Sequence, residues 1–111
     1  MRKEKKLNID SLGEITVREL TVAQVTGLME QEGERPFYAI EAMMVADGKR
    51  LPLEAVALSC GLDADRLNGD IAPSDAALIW DAATEVNPFL SRLLERFSPI
   101  LPSARQLAQK S

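Results

Sequence analysis

Ile15-Thr16-Val17-Arg18-Glu19-Leu20-Thr21-Val22-Ala23-Gln24-Val25 changes its backbone rhythm part-way along, and that change decides the fold. Glu14 to Arg18 alternates polar and apolar residues, the pattern of a strand with one buried face. From Thr21 the period lengthens. Thr21 and Gln24 stand at capping-box spacing, where a hydroxyl and a side-chain amide satisfy two of the orphan N–H groups at a helix start. Leu20, just before the cap, is placed to staple against Val25. Val22, Val25, Leu28 and Met29 then form one apolar stripe. A strand feeds directly into a helix here.

Working back toward the start, Lys6-Leu7-Asn8-Ile9 alternates in the same way. Asp10-Ser11-Leu12-Gly13 separates the two runs with turn chemistry, since Asp opens turns and Gly tolerates positive φ. The pair reads as a hairpin over 7–18, with Leu7, Ile9, Ile15 and Val17 on the face that meets the helices. An isolated hairpin is marginal in water, so this one must pack on something.

Forward of the first helix the pattern stays helical. Gly33 and Pro36 break it, and a second helix is expected over Phe37 to Ala46, with Phe37, Ile40, Met43 and Met44 inward. Pro52 to Cys60 reads as a short third helix closed by Gly61, with Pro52 at its first position. Asp63 to Leu67 has room for one further turn. Ala76 to Phe97 is a long helical stretch interrupted at Asn87-Pro88, where Asn is a good N-cap and Pro a good first-turn residue. The expected fold is mainly α: a compact bundle of about five short helices with an N-terminal β-hairpin. The expected organisation is a basic, flexible N-terminus over 1–6, one helical domain over 7–98, and a Pro-containing tail over 99–111.

Composition narrows what such a domain does. The chain has 111 residues and 46% hydrophobic residues. That suffices for one core without staples. It has no histidine and one cysteine, so the commonest general base, the commonest metal ligand and every His-activated nucleophile are missing. Cys60 lies in an apolar stretch and reads as a small buried hydrophobe. A lone thiol with no internal partner is consistent with the cytoplasm. No long apolar run follows the basic residues 2–6, so no signal peptide is expected, and no stretch approaches membrane-spanning length. The net charge is -4, and Glu54, Asp63, Asp65, Asp70, Asp75, Asp81 and Glu85 crowd the middle. That surface repels phosphate backbones and acidic membranes.

Candidate chemistry is sparse. Asp75, Asp81 and Glu85 oppose the Ile79/Ala82/Val86 stripe and read as a solvated helix face. Asp63-Ala64-Asp65 starts like a calcium loop but lacks the central Gly and the closing Glu. No catalytic, cofactor or metal residues are expected. Leu53 to Leu67 imitates a helix-turn-helix core, yet its second helix would bring Asp63, Asp65 and Asp70 to the groove with only Arg66 against them. A small helix-turn-helix regulator and an acidic protein–protein adaptor are the alternatives. Trp80 lies off the centre of its stripe, either covering a core edge or anchoring an interface. Trp80, Pro88, Phe89, Leu93, Phe97, Ile100 and Leu101 are the candidate partner-binding residues.

The order of elements, with the Val17-Arg18-Glu19-Leu20-Thr21 segment and the late Glu85-Val86-Asn87-Pro88-Phe89 segment, resembles the tail assembly chaperones of tailed bacteriophages and prophages. The resemblance runs over roughly 7–97. It implies a non-enzymatic protein that binds the tail tape measure protein, the tail tube protein or both during tail morphogenesis. It also implies the bacterial host cytoplasm, absence from the mature virion and, in many members, a longer frameshifted form. Self-association is a further expectation.

Overall fold

The computed structural model describes residues 1–31 and 33–97. Two strands, β1 (Glu4–Ile9) and β2 (Gly13–Arg18), are followed by α1 (Val22–Met29), α2 (Ala39–Ala46), α3 (Leu53–Cys60), α4 (Ala64–Leu67), α5 (Pro73–Val86) and α6 (Pro88–Phe97). Six helices thus stand among the described residues, against about five expected. The extra one is α4, where the turn after Asp63 closes, and the long C-terminal stretch is divided at Asn87 into α5 and α6.

The strands pair antiparallel with Leu7 opposite Ile15 and Ile9 opposite Gly13. Gly13 has φ 75, the left-handed value that the turn requires. Ile9, Ile15 and Val17 are buried and Leu7 packs against the same core, so the sequence period placed this face correctly. The hairpin begins earlier than expected. Glu4 pairs with Arg18, the Glu19 N–H donates to the Lys3 carbonyl at 2.8 Å, and Lys5 Nζ donates to Glu85 at 2.7 Å. Residues 4–6, expected in a flexible segment, are instead part of β1 with a backbone partner in β2.

Helix α5 is the centre of the molecule, packed by both strands and by α2, α3 and α6. A helix covered from several sides buries more than a stripe. Trp80 is consequently fully buried, and its indole N–H donates to the Leu51 carbonyl at 2.9 Å. The expectation of Trp80 as a partner anchor is therefore corrected: it is a core residue with a satisfied polar edge.

Helix α2 begins at Ala39, two residues after the expected Phe37, because Tyr38 is still extended (φ -119, ψ 120). Phe37 precedes the helix, so helical spacing does not carry it inward, and it is 66% exposed. Ile40 and Met44 take the core positions, and the Ile40 N–H donates to Asn68 Oδ1 at 3.1 Å. Pro52 sits one position before its expected place, at the N-cap of α3, and Gly61 ends that helix at φ 69.

The loop between α1 and α2 is held by charge. Arg35 donates from both terminal nitrogens to Glu41 at 2.6 and 2.8 Å, and from Nε to Glu54 at 2.6 Å. Glu41 is 1% exposed and also accepts the Leu53 N–H at 2.6 Å. Burial opposes the Arg35 charge, but the bonds and charges of Glu41 and Glu54 outweigh it and hold the guanidinium above its ordinary pKa.

Candidate functional site

Asn87 organises a surface region where apolar side chains gather around a hollow. It follows the last residue of α5 with φ -120 and ψ 59, outside the helical range, and Pro88 begins α6 immediately. Its side chain is buried and turns away from α6. Oδ1 accepts the Leu20 N–H at 2.7 Å, and Nδ2 donates to the Ala83 carbonyl at 2.8 Å and to Ser59 Oγ at 3.2 Å. Ser59 Oγ in turn donates to the Arg18 carbonyl. The expected capping role is thereby corrected: the carboxamide is committed to Leu20, and the Asn87 carbonyl instead accepts the Ser91 N–H at 3.1 Å and the Ser91 hydroxyl at 3.0 Å. All its polar atoms have partners, as a buried amide requires.

The Leu20–Asn87 bond fixes the start of α1 beside the start of α6. The capping box then sets the direction of α1: the Gln24 N–H donates to Thr21 Oγ1 at 3.2 Å and the Thr21 N–H to Gln24 Oε1 at 2.9 Å. Between the two helices lies a groove of about 420 Å³, whose lining includes Leu20, Val22, Val25, Met29, Phe89 and Leu93. Its lips are apolar and open to solvent. Val22 is 85% and Phe89 69% exposed, and Arg92 stands over the Phe89 ring at 5.6 Å, within cation–π range.

The expected partner-binding residues divide accordingly. Phe89 and Leu93 line the groove, and Pro88 is half-buried at the foot of α6. Trp80 is in the core. Phe97 ends α6, while Ile100 and Leu101 lie outside the described residues. The opposite wall was missed. Val22, Val25 and Met29 were visible as an apolar stripe but were not among the expected partner-binding residues. In the structure only Leu28 of α1 is fully buried, because α1 is covered on one side and lends its adjacent face to the groove.

Other regions offer less. The Leu53–Leu67 segment forms α3 and α4 at a tight corner, but α4 has only four residues, too short to lay several side chains along a major groove. Beside that corner a polar hollow of about 530 Å³ is lined by Arg2, Arg18 and Arg66 together with Glu14. Arg2 Nε is already committed to the Glu19 carbonyl at 2.8 Å, and Arg18 pairs with Glu4 at 3.3 Å. Cys60 is buried, and burial pushes its thiol up to about 12, so it stays protonated at neutral pH. Among the described residues no group of three or more His, Cys, Asp or Glu is placed to hold a metal ion, and no helix is long and apolar enough to cross a membrane.

No family model, no curated protein and no solved structure matches this chain. The groove must therefore be read on its chemistry. It offers dispersion contacts and area removed from water, with Asn87 already satisfied beneath it and no polar group in want of a ligand atom. An apolar guest fits that description better than a polar metabolite.

Proposed function

We propose that this chain is a non-enzymatic tail assembly chaperone of a bacteriophage or prophage, and that its α1–α6 groove receives an apolar helical stripe of the tape measure protein, the tail tube protein or both. The exposed apolar groove is the observation that carries the reading. A soluble domain that leaves Val22, Met29 and Phe89 at one solvent-open hollow bears a contiguous patch of the kind that marks an interaction surface. The anchors on α6 recur at helical spacing, which suits a helix laid alongside them. The acidic remainder of the surface, part of a net charge of -4, favours keeping such a complex in solution. The two segments behind the family resemblance, Val17–Thr21 and Glu85–Phe89, are also the two joined by the Leu20–Asn87 hydrogen bond, so they build one site.

Co-expression of the tagged chain with a phage tape measure protein, and separately with a tail tube protein, tests this. The expected result is co-purification of at least one and a rise in its soluble fraction, with Phe89→Ser weakening retention. Folded chain that retains neither protein, or that retains one equally well without Phe89, overturns the reading.

A further inference from the structure

We propose that the free edge of β2 takes up an extended, acidic peptide segment as a third strand. The register identifies the edge. Glu19 continues the ladder opposite Lys3 and donates its N–H to the Lys3 carbonyl, so the odd-numbered residues of β2 are the ones bonded to β1. In an antiparallel pair the alternate residues turn their backbone groups the other way. Glu14, Thr16 and Arg18 therefore direct theirs away from β1. The Arg18 carbonyl accordingly accepts the Ser59 hydroxyl of α3. The backbone N–H and C=O groups of Glu14 and Thr16 have no partner on that side among the described residues. A row of such groups is a template for strand addition.

The polar hollow of about 530 Å³ lies along this edge. From β2 it is lined by Glu14, Ile15, Thr16 and Arg18. Consecutive strand residues point to opposite faces, so a hollow that touches both sets flanks the strand's edge. Leu58, 44% exposed, and Leu62 supply an apolar wall. Charge selects the occupant. Arg2, Arg18 and Arg66 line the hollow against the single acid Glu14, in a chain whose net charge is -4. Arg2 bonds to uncharged groups, the Glu19 carbonyl at 2.8 Å and Gln24 Oε1 at 3.3 Å, so its charge is not neutralised there. The Arg66 guanidinium has no partner among the described residues. Arg18 meets Glu4 at 3.3 Å with both side chains about half exposed, a weak pair that a bidentate carboxylate displaces. Side chains of an added strand alternate between two faces. One set lies on the side of Thr16 and Arg18, the other on the side of Ile15, which is turned to the core. The occupant thus alternates acid with apolar residues. This site is separate from the α1–α6 groove and does not require the tail-assembly reading.

Amide NMR titration of the isotope-labelled chain with a capped octapeptide of alternating Glu and Val tests this, with folding of each variant followed by thermal melts. Saturable shifts are expected at the Glu14, Thr16 and Arg18 amides, and binding is expected to weaken as salt rises. Arg66→Glu is expected to raise the dissociation constant by about tenfold or more. Methylating every second amide nitrogen of the peptide separates strand addition from charge attraction, because it keeps the charge and removes the donors of one edge only. One of the two methylation patterns is expected to abolish binding and the other to spare it. Equal effects of the two patterns overturn the added strand. So does an octapeptide of alternating Lys and Val that binds as tightly, or an oligothymidylate of the same length that does, since the hollow then selects neither carboxylates nor a peptide backbone. Absence of saturable shifts up to about 1 mM peptide, the weak end of specific recognition, also overturns the proposal.

Discussion

Replacing Asn87 by alanine tests the argument that one buried amide holds both walls of the groove. The variant removes the acceptor of the Leu20 N–H, bonded at 2.7 Å in a buried position. An orphaned buried N–H costs about 1–3 kcal/mol. It also removes the donor to Ser59 Oγ and to the Ala83 carbonyl. The latter keeps the Asn87 backbone N–H at 3.1 Å, so these two losses together add about 1 kcal/mol. The expected destabilisation is about 2–4 kcal/mol, a large part of the 5–15 kcal/mol typical of a domain. For a domain of this size that lowers Tm by about 10–25 °C. Urea unfolding followed through buried Trp80 measures it, and an unchanged denaturant slope confirms that stability alone has moved. Asn87→Asp is the sharper companion. It restores an acceptor for Leu20, but it removes both donors and buries a charge at the negative end of the α5 dipole. It is expected to be no milder than alanine. A loss below about 1 kcal/mol for the alanine variant, or a near-neutral aspartate, refutes the reasoning.

Two further predictions concern buried ionisable groups. Arg35→Ala leaves Glu41, 1% exposed, without its cation, and is expected to cost about 3–5 kcal/mol with little dependence on salt; urea titrations at low and high ionic strength check both parts. Cys60 keeps its proton when folded up to about 12, whereas the unfolded thiol ionises from about 9. Below that window both states hold the proton and the contribution is constant. Within it the unfolded state binds fewer protons, so stability falls as pH rises, by about 1.4 kcal/mol per unit. The stability of the wild type relative to Cys60→Ala is expected to decline between about pH 9 and 12, and a flat difference rules this out.

The sequence carried local structure well and tertiary cover poorly, for a physical reason. The hairpin face, the Thr21–Gln24 box, the Gly61 stop and the Asn87 break are set by near neighbours, and each appears where spacing put it. Whether an apolar stripe meets a core or water depends on what else packs there. Val22 and Trp80 show this in opposite directions. Val22 belongs to an apolar stripe on a helix covered from one side, and it is 85% exposed; Trp80 lies off its stripe on a helix covered from several sides, and it is fully buried. The same gap hid half of the groove: Phe89 and Leu93 were legible as candidates, but their partners on α1 come from the far end of the sequence. Asn87 looked like a cap because local chemistry suggested it, and only the fold brings Leu20 within its reach.

The bond between Leu20 and Asn87 spans 67 positions of sequence, and this has a consequence for synthesis on the ribosome. The first wall of the groove is translated early, and the hollow beside it exists only once the second has emerged. A nascent chain ending before Pro88 carries no receptive hollow at all. On the proposed function, client capture becomes available only after α6 has been made, and a product truncated before it is expected to bind no client without needing to be misfolded.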